Sequence, residues 1–316
     1  MSWIAIPFSR ADPWRHMGYQ YTFSIGKAVP TEEAWRILHS LADAQRPLLL
    51  REVQAVLDAV GIALAAEDIS VLMAAGDTAT LEMVVRRIWD HVGSQGLQET
   101  LLPQMRTLAL AAAEATSIAT VGVRFNVQDT EALAAIEATA GAQIVAISET
   151  TLDAVRGIIQ RAFESGTPLT QQIAEIRDLV GLTPRQAEQV ARYRQGLVEA
   201  GESARRVEAL VTQRADVLRT QRAENIARTE SINAAGLGQH ERTLQAVRDG
   251  LLDSTRVRRF WLVAQDERLC PICAAIPGRN PDGVGLTQPF DTPRGLLMMP
   301  AAHPQCRCAV NQTILP

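Results

Sequence analysis

Apolar residues return at intervals of three and four through Trp35, Leu38 and Leu41, and again through Val53, Val56, Leu57 and Val60. That period predicts amphipathic helices over 31–44 and 47–65. Thr31 stands at the first N-cap, with Glu32 and Glu33 at the positive end of the helix dipole. Gly76-Asp77 and the span from Gly93 to Gly96 interrupt the pattern, so further helices are expected at 67–75, 78–92 and an alanine-rich 97–121. A short extended connector is read at 121–127, followed by helices at 129–140, at 148–165 with Ser148 as cap, and at 169–180. Thr183-Pro184 opens another, with the threonine as N-cap and the proline where a missing N–H costs nothing. A long helix is expected at 203–235. Its Arg205, Arg206, Arg214, Arg219, Arg222 and Arg228 are interleaved with acidic residues, the pattern of a solvated face.

The two ends of the chain differ from this helical middle. Residues 1–30 hold six of the 14 aromatics together with Pro7, Pro13 and Pro30, which describes an arm that covers the protein's own core or docks on a partner. From residue 255 the texture turns to β: Val257-Arg-Arg-Phe-Trp-Leu-Val263 is the best strand candidate. Residues 277–301 then carry so many prolines and glycines that they read as a loop. The expected fold is mainly α, in four parts: an arm at 1–30, a helical bundle at 31–122, a long-helix region at 123–250 and a small α+β domain at 251–316.

Composition adds boundaries rather than a function. A length of 316 residues with 47% apolar and 21% charged residues gives ample core, and 4% aromatics suits helices packed through alanine and leucine. The net charge of −4 argues against a general nucleic-acid coat. Residues 201–316, however, hold 15 Arg against 12 acidic residues, so a limited DNA contact is read for the Arg-rich 201–260. No uninterrupted apolar run reaches the ~18 residues of a membrane span, so no membrane partner is expected. Met1-Ser2-Trp3 does not open like a secretory leader, which implies a reducing compartment for the thiols.

Those thiols are the strongest chemical signal. All four cysteines lie in the last 47 residues, as Cys270-Pro-Ile-Cys273 and His303-Pro-Gln-Cys306-Arg-Cys308. A C-x2-C pair aims two sulfurs at one centre, and H-x2-C-x-C supplies the rest of the tetrahedral N/S set that Zn(II) prefers. Cys270, Cys273, His303, Cys306 and Cys308 are five candidates for four places, with Cys306 preferred to Cys308. A structural zinc would close the 29-residue loop between the halves. Two disulfides are the competing reading. Asp266 is placed to cap the turn before the cysteines or accept hydrogen bonds beside the site, and Arg307 to neutralise thiolate charge or pair with Asp266.

Three segments together resemble the phage Mu protein F-like head morphogenesis family of minor capsid proteins. They are Ile226-Ala-Arg-Thr-Glu230, the run from Trp261 through Asp266-Glu-Arg-Leu-Cys270-x2-Cys273 to Gly278, and Pro300-Ala-Ala-His303-Pro-Gln-Cys306-Arg-Cys308 with Phe290 before it. The resemblance implies a non-enzymatic minor head protein of a tailed phage or prophage-derived particle. It would act in head morphogenesis, DNA packaging or ejection, bound to the portal and to major capsid or scaffold protein. It would assemble as an oligomer or at low copy number inside the capsid at the portal vertex, after assembly in the host cytoplasm. Some relatives carry a fused transferase domain, but Arg228 and Glu230, two apart on one helix, point in nearly opposite directions and cannot share a site from one face. The alternative reading is a zinc-dependent, nuclease-like DNA-processing enzyme, which would need histidines beyond His303; His16, His39, His91 and His240 are all read as distant.

Overall fold

The computed structural model describes residues 31–67, 78–115, 125–126, 128–164, 181–264 and 266–315. The aromatic arm at 1–30, nearly all of the helix read at 67–75, the end of the one at 97–121, most of the connector at 121–127 and the helix at 169–180 lie outside them. The chain is mainly helical, with a small strand-containing C-terminal region.

Two pairs of expected helices are single helices. Helix α1 spans Thr31–Ala66 straight through Pro47. A proline there removes one i→i−4 hydrogen bond. Burial of Leu38, Leu49 and Val53 on one continuous stripe outweighs that loss. Helix α2 (Thr78–Ile88) and helix α3 (Gln95–Ala115) are likewise joined by a wide turn, Trp89–Ser94, with helical dihedrals on both sides. Gly93 and Gly96 do not break the run. A Cβ on Gly93 would stand 2.8 Å from the buried Trp89 ring, and one on Gly96 3.1 Å from Val56, so both glycines serve close approach.

Helix α4 (Thr130–Glu164) also runs through the break expected at 141–147. Ser148 is not a cap but a buried interior residue, its hydroxyl donating back to the Ile144 carbonyl at 3.0 Å. By length and composition alone, Thr130–Ala154 is long and apolar enough to cross a membrane, because apolar residues with few charges replace the uninterrupted run sought in the sequence. Ala132, Ile136, Ala140 and Ile144 turn one stripe of it into the protein interior.

Helix α5 (Pro184–Glu199) starts as expected, with a capping box in which Thr183 accepts from the Gln186 N–H and Gln186 reaches back to the Thr183 N–H. Helix α6 (Ala204–Arg248) is longer than expected, 45 residues, and forms the axis on which α1, α3, α4 and α5 pack. Only its first half is amphipathic. From Glu230 to Ala246 it is buried nearly all round, which hides its true end from a periodicity argument. The closest crossing is at Gly238: a Cβ there would lie 1.8 Å from the Ala109 carbonyl oxygen of α3. One turn on, Arg242 donates to the Ala113 carbonyl at 2.9 Å near the end of α3.

The arginines of α6 divide. Arg205, Arg206 and Arg214 are exposed, as the sequence suggests. Arg222 is buried and joins three elements, donating to the Gly181 carbonyl (2.8 Å), the Ile147 carbonyl (3.3 Å) and the Thr151 hydroxyl (2.8 Å). Burial lowers its pKa to about 10, which leaves it charged at neutral pH.

The C-terminal region is built on strand β1 (Val257–Leu262), flanked antiparallel by β2 (Val284–Gly285) and β5 (Ala309–Ile314), with a separate hairpin of β3 (Phe290–Thr292) and β4 (Gly295–Leu297). Its two faces serve two cores. The cross-strand pair Leu262–Ala309 faces the helical bundle, while the next pair, Trp261–Val310, faces the cysteines. The loop read at 277–301 is more ordered than its composition suggests, and the reason is Arg259. This fully buried guanidinium donates to the carbonyls of Gly285 (3.2 Å), Met298 (2.7 Å) and Gln288, and lies 5.1 Å from the Phe290 ring centre. We expect Arg259→Leu to strand those carbonyls and destabilise the C-terminal region by about 3 kcal/mol or more, read by denaturant unfolding.

Candidate metal centre

The Cys270-Pro-Ile-Cys273 segment is the start of a helix rather than a free turn. Cys270 is the N-cap of helix α7 (Pro271–Arg279), its sulfur accepting from the Cys273 N–H at 3.4 Å, with Pro271 in the first helical position. Both sulfurs thus sit at the positive end of a helix, a setting that favours thiolates. At the other end of α7, Asn280 donates to the Ile276 and Asp291 carbonyls, each at 2.8 Å, and accepts from the Asp291 N–H at 3.0 Å, fixing α7 to β3.

The second half of the motif closes over the first. His303 Nε2 lies 3.1 Å from Cys270 Sγ and 3.0 Å from Cys273 Sγ, while Cys273 Sγ lies 3.8 Å from Cys306 Sγ. The structure therefore brings all five candidates together in two overlapping trios, Cys270–Cys273–His303 and Cys273–Cys306–Cys308, which share Cys273. No disulfide joins the four cysteines. Hydrogen bonds from the Cys273 and Cys308 thiols hold the Cys306 thiol well below its usual pKa, and the same sharing pushes Cys273 up.

These donors fit a tetrahedral thiolate–imidazole site. Zn–S bonds of about 2.3 Å put tetrahedral sulfurs roughly 3.8 Å apart, the separation found between Cys273 and Cys306. A metal of this kind at Cys270, Cys273, His303 and Cys306 requires His303 to withdraw from its 3.0–3.1 Å contacts and the two trios, which overlap only at Cys273, to close together. The His303 Nδ1 lies 2.7 Å from the Pro304 carbonyl, which leaves Nε2 as the free ligand nitrogen.

The surroundings are apolar and well packed. Trp261 and Phe290 meet edge to face at 5.1 Å, and with Ile276, Ala302 and Val310 they enclose Cys273, Cys306 and Cys308. Arg307 pairs in a bidentate fashion with Asp266, as expected, with one N–O separation of 2.6 Å. Hydrogen bonding to Arg307 holds the Asp266 carboxyl down at about 2.

Sequence reasoning missed the cradle beneath the site. Asn225, Thr229 and Asn233 lie at i, i+4 and i+8 on α6. Thr229 accepts from the Gln305 N–H at 3.3 Å, Asn233 accepts from the Ala301 N–H at 2.6 Å, and Asn225 accepts from the Gln305 side chain. The signal was present as three short polar residues at helical spacing, but periodicity alone cannot say what they hold. Trp35 was read as core, and its indole N–H donates to the Arg307 carbonyl at 3.2 Å, so α1 clamps the same segment from the other side.

This arrangement matches a known family. The family model described as Phage Mu protein F like protein covers residues 192–311. Residues 192–311 are a Phage Mu protein F-like region. No curated protein and no solved structure matches the chain. The family is one of phage head morphogenesis, and the match relates residues 192–311 to phage head proteins. Within the F-like region, the segment Ile226–Glu230 contributes Thr229 to the helix face that receives the cysteine-bearing loop.

The histidines fall out differently from their reading as distant. His16 lies outside the described residues, His91 is exposed beside the Arg87 carbonyl, and His240 is buried in α6. His39 comes close, stacked on Trp35 at 3.8 Å and against the Arg307 backbone, because α1 packs on the end of the chain. Burial lowers its pKa to about 4. Among the described residues the metal-competent trios contain no histidine other than His303.

Glu230, one of the motif residues, is buried, and desolvation raises its pKa to about 7. Its folded value lies above the usual 4.5, so the unfolded chain gives up the proton first and stability falls as pH rises from about 4.5 to about 7. Glu230→Gln should remove this residue's share of the fall and leave the share of Glu241, whose pKa burial also raises to about 7. Thermal melts should show the variant more stable than the parent at mildly alkaline pH and equal to it at acid pH.

Proposed function

We propose that this chain is a structural minor head protein that works beside the portal, and that Cys270, Cys273, His303 and Cys306 hold a structural zinc. Cys308, buried with its sulfur within 4.8 Å of those of Cys273 and Cys306, is then the supporting fifth sulfur. The observation that supports this most is the position of the F-like match: residues 192–311 comprise the α6 cradle and the cysteine-rich domain together. The metal's part is to close the loop from Ala274 to Ala302 and so hold a rigid domain against the side of α6, a task for a thiolate-rich site surrounded by apolar side chains.

The portal reading is tested by co-expressing the chain with the portal protein of its parent particle. Co-purification that survives in the parent protein and is lost on deleting residues 251–316 is the expected result. Separation of the two proteins at low salt would reject it. Deleting residues 2–28 in the same assay shows whether the aromatic arm takes part.

A further inference from the structure

Four arginines from four segments meet at the seam between α1, α6 and the cysteine-rich domain. Arg228 on α6 feels Arg46 of α1 together with Arg268 and Arg307 of the C-terminal domain. The seam is fixed by bonds that flank them: Trp35 to the Arg307 carbonyl, and Gln305 to Thr229 beside Arg228. Two carboxylates serve this group. Asp43 pairs with Arg46 at 2.8 Å, and Asp266 holds Arg307 and also Arg268 at 3.5 Å. Four guanidinium groups against two carboxylates leave a positive excess, reduced where the Cys273 and Cys308 sulfurs act on Arg307.

Arg228 carries that excess. It is half-buried, and among the described residues its guanidinium has no hydrogen-bond or ion-pair partner. Desolvation first, then the neighbouring arginines, work against its charge. Asp43 favours its charge but is already paired with Arg46, so the burial of this cation is only partly offset. The group reaches solvent, since the Arg268 side chain is 72% exposed and that of Arg46 39%.

We propose that Arg228, with Arg46, Arg268 and Arg307 around it, binds phosphate groups. Planar guanidinium forks match phosphate oxygens two at a time, and several arginines with few carboxylates form the usual electrostatic footprint for that ligand. The source is either the backbone of duplex DNA or free phosphate. The proposal goes beyond the head-protein reading and is tested on the purified, metal-loaded full chain without portal or capsid.

The measurement is fluorescence anisotropy with a short labelled duplex of arbitrary sequence, alongside melting curves in inorganic phosphate and in chloride at matched ionic strength. Arg228→Gln should weaken duplex binding about tenfold and flatten the slope of log K against log salt by about one. Arg228→Lys should keep most of the affinity. Arg205→Gln, an exposed arginine elsewhere on α6, should change little. Phosphate that stabilises the parent but not Arg228→Gln, without duplex binding, assigns the site to free phosphate. Without ligand, Arg228→Gln should melt at or above the parent temperature, because it relieves like-charge crowding. A fall in that melting temperature, or parent and Arg228→Gln responding alike to both duplex and phosphate, overturns the proposal.

Discussion

Cys273→Ser will abolish metal binding and release the C-terminal domain from Asp266 to Cys308 while the helical bundle stays folded. Cys273 is the one residue common to both trios, and its sulfur lies 3.0 Å from His303 Nε2 and 3.8 Å from Cys306 Sγ. Structural zinc sites in small domains are worth roughly 10–16 kcal/mol, comparable to the whole stability of a typical domain, about 5–15 kcal/mol. Hydrogen exchange should therefore show protection lost in α7, β3 and β4 and kept in α1, α3 and α6. Chelation of the parent protein should reproduce the pattern. Cys306→Ser should behave like Cys273→Ser, whereas Cys308→Ser should retain metal with a lower melting temperature, because Cys308 is buried but outside the proposed ligand set. Full protection of α7 in Cys273→Ser would contradict the metal's structural role.

The second large effect lies away from the cysteines. Gly238→Val places a Cβ 1.8 Å from the Ala109 carbonyl oxygen, backbone that cannot yield without separating α3 from α6. Overpacking usually costs about 1–3 kcal/mol. Here a whole helix crossing must open, along with the Arg242 bond to the Ala113 carbonyl, so we expect more than about 3 kcal/mol and a melting temperature lower by roughly 6 °C or more. Gly236, two residues earlier, has nothing within 4 Å of its would-be Cβ. Gly236→Ala should instead be neutral or stabilising by up to about 1 kcal/mol. If the two substitutions behave alike in calorimetry, the close crossing is wrong.

The helical class, the N-cap at Thr183, strand β1 and the meeting of Cys270, Cys273, His303, Cys306 and Cys308 were all legible in the sequence because each rests on a local signal. Spacing, a cap residue and a β-branched run need no knowledge of the rest of the chain. Helix continuity was not legible. Pro47, Gly93 and Ser148 each carry a local stop signal, and each is overruled by packing along α1, α3 or α4 that depends on distant residues. The end of α6 was hidden because a helix buried on all sides has no apolar stripe to follow. Arg222 looked like a solvent-facing charge and Arg259 like one residue of a strand, and only the fold reveals the carbonyls that surround them. The same holds for Asn225, Thr229 and Asn233, whose importance comes from a segment some 70–80 positions away in the chain. The loop at 277–301 was expected to depend on a metal for its order, and Arg259 shows a second tie that acts from the opposite side.

The central claim is that the clustered thiols hold a metal rather than each other. The most direct measurement is elemental analysis of the full chain purified without added metal, paired with a count of free thiols before and after denaturation with chelator. One zinc per chain, and four thiols that become reactive only when the metal is removed, is the predicted result. A metal-free protein with two or fewer titratable thiols after denaturation would contradict it, and would make the cluster a disulfide site.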